Sequence, residues 1–194
     1  MENLHHYIVN YAPIIIHMHA NNHMQFFVKD THYRNQFETR KSSGSLSSSA
    51  RTQWEDRMFD HLHHDASPFE RVKYGTINFT NDPKGVRCCS GYGQSYFLLK
   101  SHVRNRCTVT DMDSSSPSAT IATFQFCYHL LNKLPDAELK AAFDGSKANE
   151  IASNVIGAYK EIQIHGPVEF KKDIERVYVN KAEMADPKVL DMVK

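Results

Sequence analysis

Tyr159-Lys160-Glu161-Ile162-Gln163-Ile164-His165-Gly166-Pro167 alternates polar and apolar side chains and then stops at a Gly-Pro turn. Alternation with period two is the pattern of a half-buried strand. A closing strand, Ile174–Val179, follows the turn. Glu161 is the notable residue here, either a charge on a solvent edge or the acid of a cleft. Upstream, Val72–Phe79, Ser95–Lys100 and Arg106–Thr110 read as further strands. The first of them runs into the turn signal Asn81-Asp82-Pro83-Lys84-Gly85. Residues 12–18, with Ile14-Ile15-Ile16, read as a short buried strand, and His32–Glu38 alternates aromatic and polar residues as a further strand.

Helical spacing appears between these strands. Asn21 and Asn22 are placed to cap a helix ending near Lys29. Trp54, Met58, Phe59 and Leu62 mark an amphipathic helix over Arg51–His64, with Trp54 in the core. Thr120–Leu131, apolar nearly all round, predicts a buried helix. Pro135–Phe143, Ala148–Tyr159 and Asp186–Val193 predict three more. Residues 40–50, rich in serine, predict a mobile surface loop. The expectation is one α+β domain over 1–194, with antiparallel strands in a split two-sheet core and flanking helices.

Composition narrows the function. The chain has 194 residues, 41% of them hydrophobic and 23% charged, so it is long enough to bury one core. No apolar run approaches the length of a membrane span, and there is no signal-peptide core. A net charge of +1 argues against a general nucleic-acid binder. The four cysteines, Cys88, Cys89, Cys107 and Cys127, form no CxxC pair. They read as reduced thiols in a cytoplasmic protein. Thiol catalysis would need one of them near a base, and His102 and His129 carry no local signature for it.

Twelve histidines are the compositional oddity. His17 and His19 share a face of a strand, with His23 nearby. His61 and His64 share a helical face beside His63 and Asp65. Both groups hold metal-ligand types at short spacing, which would suit a metal-dependent hydrolase. No phosphate-loop glycine motif and no Gly-x-Ser-x-Gly elbow occurs. Gly91-Tyr92-Gly93 reads as a tight turn.

Two resemblances add to this. Tyr33-Arg34-Asn35-Gln36-Phe37-Glu38-Thr39, Ser42-Ser43-Gly44-Ser45-Leu46, Trp54-Glu55, Glu70-Arg71-Val72-Lys73-Tyr74-Gly75-Thr76-Ile77-Asn78 and Glu161–Pro167 occur in the order of a bacterial domain family of unknown function. The likeness runs from about residue 14 to 180 and implies no activity. The strand bearing Glu161, the Gly-Pro turn and the closing strand also resemble the catalytic end of ADP-ribosyltransferases. That likeness implies a cleft between two small sheets, NAD as substrate, a protein as acceptor (or water, in NAD hydrolysis), and Glu161 as the catalytic carboxylate.

The same likeness implies NAD contacts from Arg34, Ser42, Ser43, Arg71, Tyr74, Tyr96 and Gln163. Two alignments compete. Arg34, then Ser42 or Ser43, then Glu161 keeps the order of the arginine-serine-glutamate class. Tyr74-Gly75-Thr76 resembles the His-Gly-Thr of the poly-ADP-ribose polymerase class, with Tyr74 in place of histidine. Tyr159 stands where the family's first catalytic-loop glutamate would be, a departure that bears on arginine as acceptor. The rival reading is a module of the same fold that binds a nucleotide-like ligand or a partner peptide without turnover.

Overall fold

A computed structural model describes residues 2–40, 47–147 and 149–193. The chain runs α1 (Glu2–Asn10), β1 (Ile14–Met18), α2 (Ala20–Lys29), α3 (Gln36–Thr39) and α4 (Ser48–Phe59). It continues β2 (Lys73–Ile77), β3 (Ser95–Leu99), β4 (Cys107–Thr110), β5 (Ile121–Thr123), α5 (Tyr128–Leu131) and α6 (Asp136–Gly145). It closes with β6 (Glu161–Ile164), α7 (Phe170–Asp173), β7 (Ile174–Tyr178) and α8 (Pro187–Val193).

The α+β expectation holds, with antiparallel pairing throughout the named strands. The split into two sheets does not. The strands form one seven-stranded sheet in the order β5-β4-β6-β2-β1-β3-β7. The seam between its halves is narrow, however. β1 meets β2 at Ile14↔Ile77 and Ile15↔Thr76 alone, while it meets β3 along Ile15–Met18. Strand β1 therefore changes partner along its length. The sheet stays joined because Ile15 is paired on both sides.

The two faces of this sheet differ in chemistry. Side chains alternate across a strand, and the register puts Ile14, Ile16, Ile77, Phe97, Val109, Ile162 and Ile164 on one face. These side chains form the main core with Leu4 and Ile8 of α1, Met24 of α2, Leu130 and Leu131 of α5, and Val189 of α8. The other face carries Tyr74, Thr76, Thr108, Thr110, Glu161 and Gln163 across β2, β6 and β4. Ile15 and Tyr96 form a second, small apolar cluster there with Val86 and Cys89. One face thus supplies the hydrophobic stabilisation, and the other offers polar groups at fixed positions.

Several local expectations are corrected. His32–Glu38 is not a strand: His32 makes a lone bridge to Glu169, and α3 follows. Asn35 caps α3 with Glu38 in a reciprocal capping box. Asn21 and Asn22 lie inside α2. His19 precedes that helix without a side-chain cap, and Ala20 N–H donates instead to Glu183 Oε1 at 3.0 Å.

Thr120–Leu131 breaks into β5, a 3-10 turn at Phe124–Phe126, and α5. Phe124, Cys127, Leu130 and Leu131 are buried there, but Phe126 is 78% exposed, so the stretch is not buried all round. Ala148–Tyr159 holds one 3-10 turn, Ser153–Val155. Buried Ser153 is drawn to Asp82 by its backbone N–H at 2.8 Å and its hydroxyl at 3.1 Å. Position 148 lies outside the described residues. Of the expected loop at 40–50, residues 41–46 lie outside the described residues. Ser47 caps α4, which already includes Ser48, Ser49 and Ala50.

Candidate functional site

A cavity of about 220 Å³ opens on the polar face, beside the seam where β2 leaves β1. Thr76 and Glu161 stand opposite each other in its floor as a β2–β6 pair, with Tyr74 and Gly75 next to them. Arg51 and Trp54 of α4 form one wall, and Tyr33–Phe37 another. Tyr92, Asp113–Ser115 and Tyr159 complete it.

Glu161 is 6% exposed. Gln163 Nε2 donates to its Oε1 at 3.0 Å, and Ser114 bonds its carboxyl from the facing loop. Burial raises the carboxyl to about 7. Asp113 adds to that rise, and the Ser114 and Gln163 bonds and the Arg51 charge oppose it. Gln163 is itself fully engaged. Its Nε2 also donates to Thr110 Oγ1 at 3.1 Å, and its Oε1 accepts from Thr108 Oγ1 at 3.0 Å. A chain of hydrogen bonds across β6 and β4 therefore fixes the rotamer of Glu161 from behind.

The α4 wall is built on a buried carboxylate. Glu55 is fully buried, and Tyr74 Oη donates to its Oε1 at 2.9 Å while Arg71 Nη1 donates to its Oε2 at 2.9 Å. Arg71 also donates to the His64 carbonyl at 3.1 Å and lies 4.4 Å over the Phe37 ring. Arg51 lies 4.6 Å over Tyr74 and 5.6 Å from the Trp54 ring. Its Nε is buried and has no hydrogen-bond partner among the described residues. Opposite, Tyr159 Oη donates to Asp113 Oδ2 at 2.6 Å, and Tyr92 and Tyr159 hydroxyls meet at 3.1 Å.

A family model described as protein of unknown function (DUF3626) matches residues 9–138. The chain belongs to that family. The expected resemblance to a domain family of unknown function is thereby borne out. The DUF3626 match takes in β1, α4 and β2, and so the Arg34, Trp54-Glu55 and Tyr74-Gly75-Thr76 motifs. Glu161 and Gln163 lie beyond it. No curated protein matches the chain.

Not every residue expected at the site is there. Glu161 and Tyr74 line the cleft, and Arg34 reaches its rim. The Arg34 guanidinium is held by Asp30 through two bonds, of 2.7 and 2.8 Å. Arg71 and Gln163 stand behind the lining, bonded to Glu55 and Glu161 as described. Tyr96 is turned away: its hydroxyl donates to the Pro83 carbonyl at 3.0 Å and its ring stacks on Tyr178. Ser42 and Ser43 lie outside the described residues. Trp54 is a half-buried wall of the cleft rather than a core residue.

The sequence reading missed Arg51, Tyr92, Asp113 and Ser114. Arg51 lies one helical turn before the Trp54-Glu55 motif, and that spacing was the available signal. Tyr92 ends a 3-10 turn over Arg87–Tyr92, which the sequence marked only as a tight glycine turn, and Asp113 and Ser114 come from a loop with no local signal.

The histidine groups part company. His17 Nδ1 donates to the Gly93 carbonyl at 2.8 Å and its Nε2 accepts from Val86 N–H at 3.1 Å, so both ring nitrogens are occupied. Burial lowers its basicity, in keeping with that neutral tautomer. His19 points to Glu183 at 3.9 Å, and His23 Nδ1 lies 3.0 Å from the His19 carbonyl. These three do not converge on a common point. His61 and His64 do converge, on Asp56 rather than Asp65.

The four cysteines are free. Cys107 and Cys127 donate to the Val103 and Phe124 carbonyls in the core. Exposed Cys88 is lowered to about 7 by a bond from Cys89, and Cys89 lines the cleft. His102 pairs with Asp173 at 2.9 Å. No helix among the described residues is long and apolar enough to cross a membrane.

Proposed function

We propose that the cleft binds the nicotinamide-ribose end of NAD and that Glu161 assists cleavage of the bond between them. ADP-ribose would then pass to a protein side chain, or to water. The observation that carries this reading is a carboxyl buried to 6% exposure in the floor of an aromatic-walled cleft at the sheet seam. Glycosidic cleavage of this kind develops oxocarbenium character. A fixed carboxylate facing the ribose stabilises that charge best where water is excluded. Gln163 and Ser114 orient the carboxyl, so little reorganisation is needed during reaction. Tyr74 and Trp54 offer flat apolar surface to the nicotinamide ring.

Arg51 is the cation best suited to the diphosphate, because Asp30 and Glu55 already hold Arg34 and Arg71. At about 220 Å³, the cavity is smaller than the ~300–1,000 Å³ usual for small-molecule sites. It fits a nucleoside-sized end, leaving the adenylate over the rim near Arg34. The four free cysteines support a reducing, cytoplasmic setting.

A second reading is a binding module without turnover. One observation favours it: the Glu161 carboxyl, at about 7, is half protonated near neutrality and already bonded on the protein side.

Nicotinamide release from NAD by the purified protein, measured beside Glu161→Gln, separates the two. The enzyme reading expects release by the wild type and at least a ~100-fold loss in the variant, with NAD affinity measured by calorimetry little changed. NAD binding without release, with candidate acceptor proteins supplied, selects the module. Neither binding nor release overturns the enzyme reading and the nucleotide-binding form of the module.

A further inference from the structure

The turn after α4 brings three ligand side chains to one point, away from the cleft. Helix α4 ends at Phe59, and both Asp60 and His61 take left-handed backbone, at φ 48° and 61°. Two successive left-handed residues without glycine are uncommon. Here they reverse the chain so that His61 and His64 turn back over Asp56 in the last turn of the helix.

His64 Nδ1 lies 2.8 Å from Asp56 Oδ2, and His61 Nδ1 lies 3.5 Å from the same oxygen. The three ligand atoms all fall within 4.8 Å of one another. Asp56 Oδ1, by contrast, is buried with no hydrogen-bond partner among the described residues. Two imidazoles that served only as hydrogen-bond donors would satisfy a carboxylate best by taking one oxygen each. His64 Nδ1 is within hydrogen-bond distance of Oδ2, and convergence of both rings on that one oxygen is compatible with ligands gathered around a cation.

The distances fit a small one. Zinc binds histidine nitrogen and carboxylate oxygen at about 2.0–2.2 Å, which sets ligand-to-ligand edges near ~3.3 Å in a tetrahedral site. The two Asp56–histidine edges, 2.8 and 3.5 Å, lie on either side of that value, and the third is within 4.8 Å. The rings are 70% and 56% exposed, so an ion has access and the rings have room to adjust. Two imidazoles with one carboxylate suit zinc and its neighbours. Magnesium and calcium require more oxygen ligands.

We propose that Asp56, His61 and His64 form a site for a divalent cation of the zinc class, with water completing the coordination. The bound ion clamps the turn against the end of α4. That turn also presents the His64 carbonyl to Arg71, which in turn holds Glu55. The site does not depend on the NAD reading, since none of its three ligands lines the cleft.

The test is titration of chelator-treated protein with zinc chloride by calorimetry, repeated with cobalt and followed by visible absorption. The wild type is expected to bind one equivalent of zinc at micromolar concentration, to give a tetrahedral-type cobalt spectrum, and to melt at higher temperature with zinc. The double variant His61→Ala/His64→Ala is expected to lose at least ~100-fold in zinc affinity. Both rings are exposed, so the fold should tolerate their removal. The variant His5→Ala/His6→Ala, in α1, should bind as the wild type does. Absence of saturable zinc and cobalt binding overturns the proposal. So does binding that survives in His61→Ala/His64→Ala, or an equal stabilisation by magnesium.

Discussion

Glu161 is where the conflict between folding and function is sharpest. Its carboxyl sits at about 7, far above the ordinary carboxylate range, because burial penalises its charge. Asp113 pushes the same way and Arg51 opposes, and Ser114 and Gln163 bond the ionised form. Between the unfolded value and about 7, the folded chain holds a proton that the unfolded chain has released. The contribution to stability is therefore full at acid pH, falls as pH rises to about 7, and is flat above that. At roughly 1.4 kcal/mol per unit, the loss is about 3 kcal/mol.

Glu161→Gln cannot ionise, so it should lack this descent. Urea denaturation should find the variant close to the wild type at pH 5 and more stable at pH 8. Parallel pH profiles would mean that Glu161 titrates normally. In the enzyme reading the opposite trend holds for turnover, which should rise through pH 7 as the carboxylate forms. The position of Glu161 was legible because alternation over 161–164 needs nothing beyond local sequence. Its burial was not, since that depends on Ser114 and Asp113 arriving from a loop.

At the level of the element, α4 inverts the expected helix. The apolar spacing of Trp54, Met58, Phe59 and Leu62 suggested a core-facing stripe. Instead Glu55 is the helix's buried residue, and Leu62 lies past the helix end, 71% exposed. The partners of Glu55, Arg71 and Tyr74, stand 16 and 19 residues further on. No local pattern can announce a buried carboxylate whose counter-charge is that distant. Glu55→Ala should cost about 3–5 kcal/mol, because it leaves the buried Arg71 charge uncompensated. Leu62→Ala should change stability by less than ~0.5 kcal/mol. Urea midpoints of the two variants check both expectations. Helix α3 teaches the reverse lesson: Asn35 and Glu38 carry the capping-box spacing, a local signal that outweighs the alternation of His32–Glu38.

On the scale of the whole molecule, the seam decides whether the sheet acts as one body. Gly75 lies against it, and a Cβ there would stand 2.7 Å from the Ile15 carbonyl oxygen. Gly75→Val should force β2 away from β1 and cost about 1–3 kcal/mol. Trp54, the single tryptophan, reports on α4 by fluorescence, while circular dichroism reports on the whole chain. Coincident unfolding in the wild type and separated transitions in Gly75→Val would show that the seam couples the halves. Six of the seven strands were legible from short apolar or alternating runs, while β5 was hidden in a stretch that reads as a helix. The closure of two expected sheets into one was not, because it rests on Ile15 lying opposite a residue of each neighbouring strand.

The strand order has one more consequence, for how copies of the chain meet. A sheet that does not close into a barrel ends in two unpaired margins, each able to recruit a foreign strand. Here one margin is β5, three residues long with Ile121 and Thr123 exposed. The other is β7, where exposed Glu175 and Arg176 place opposite charges side by side. Brevity on one side and charge on the other protect this sheet from runaway self-assembly.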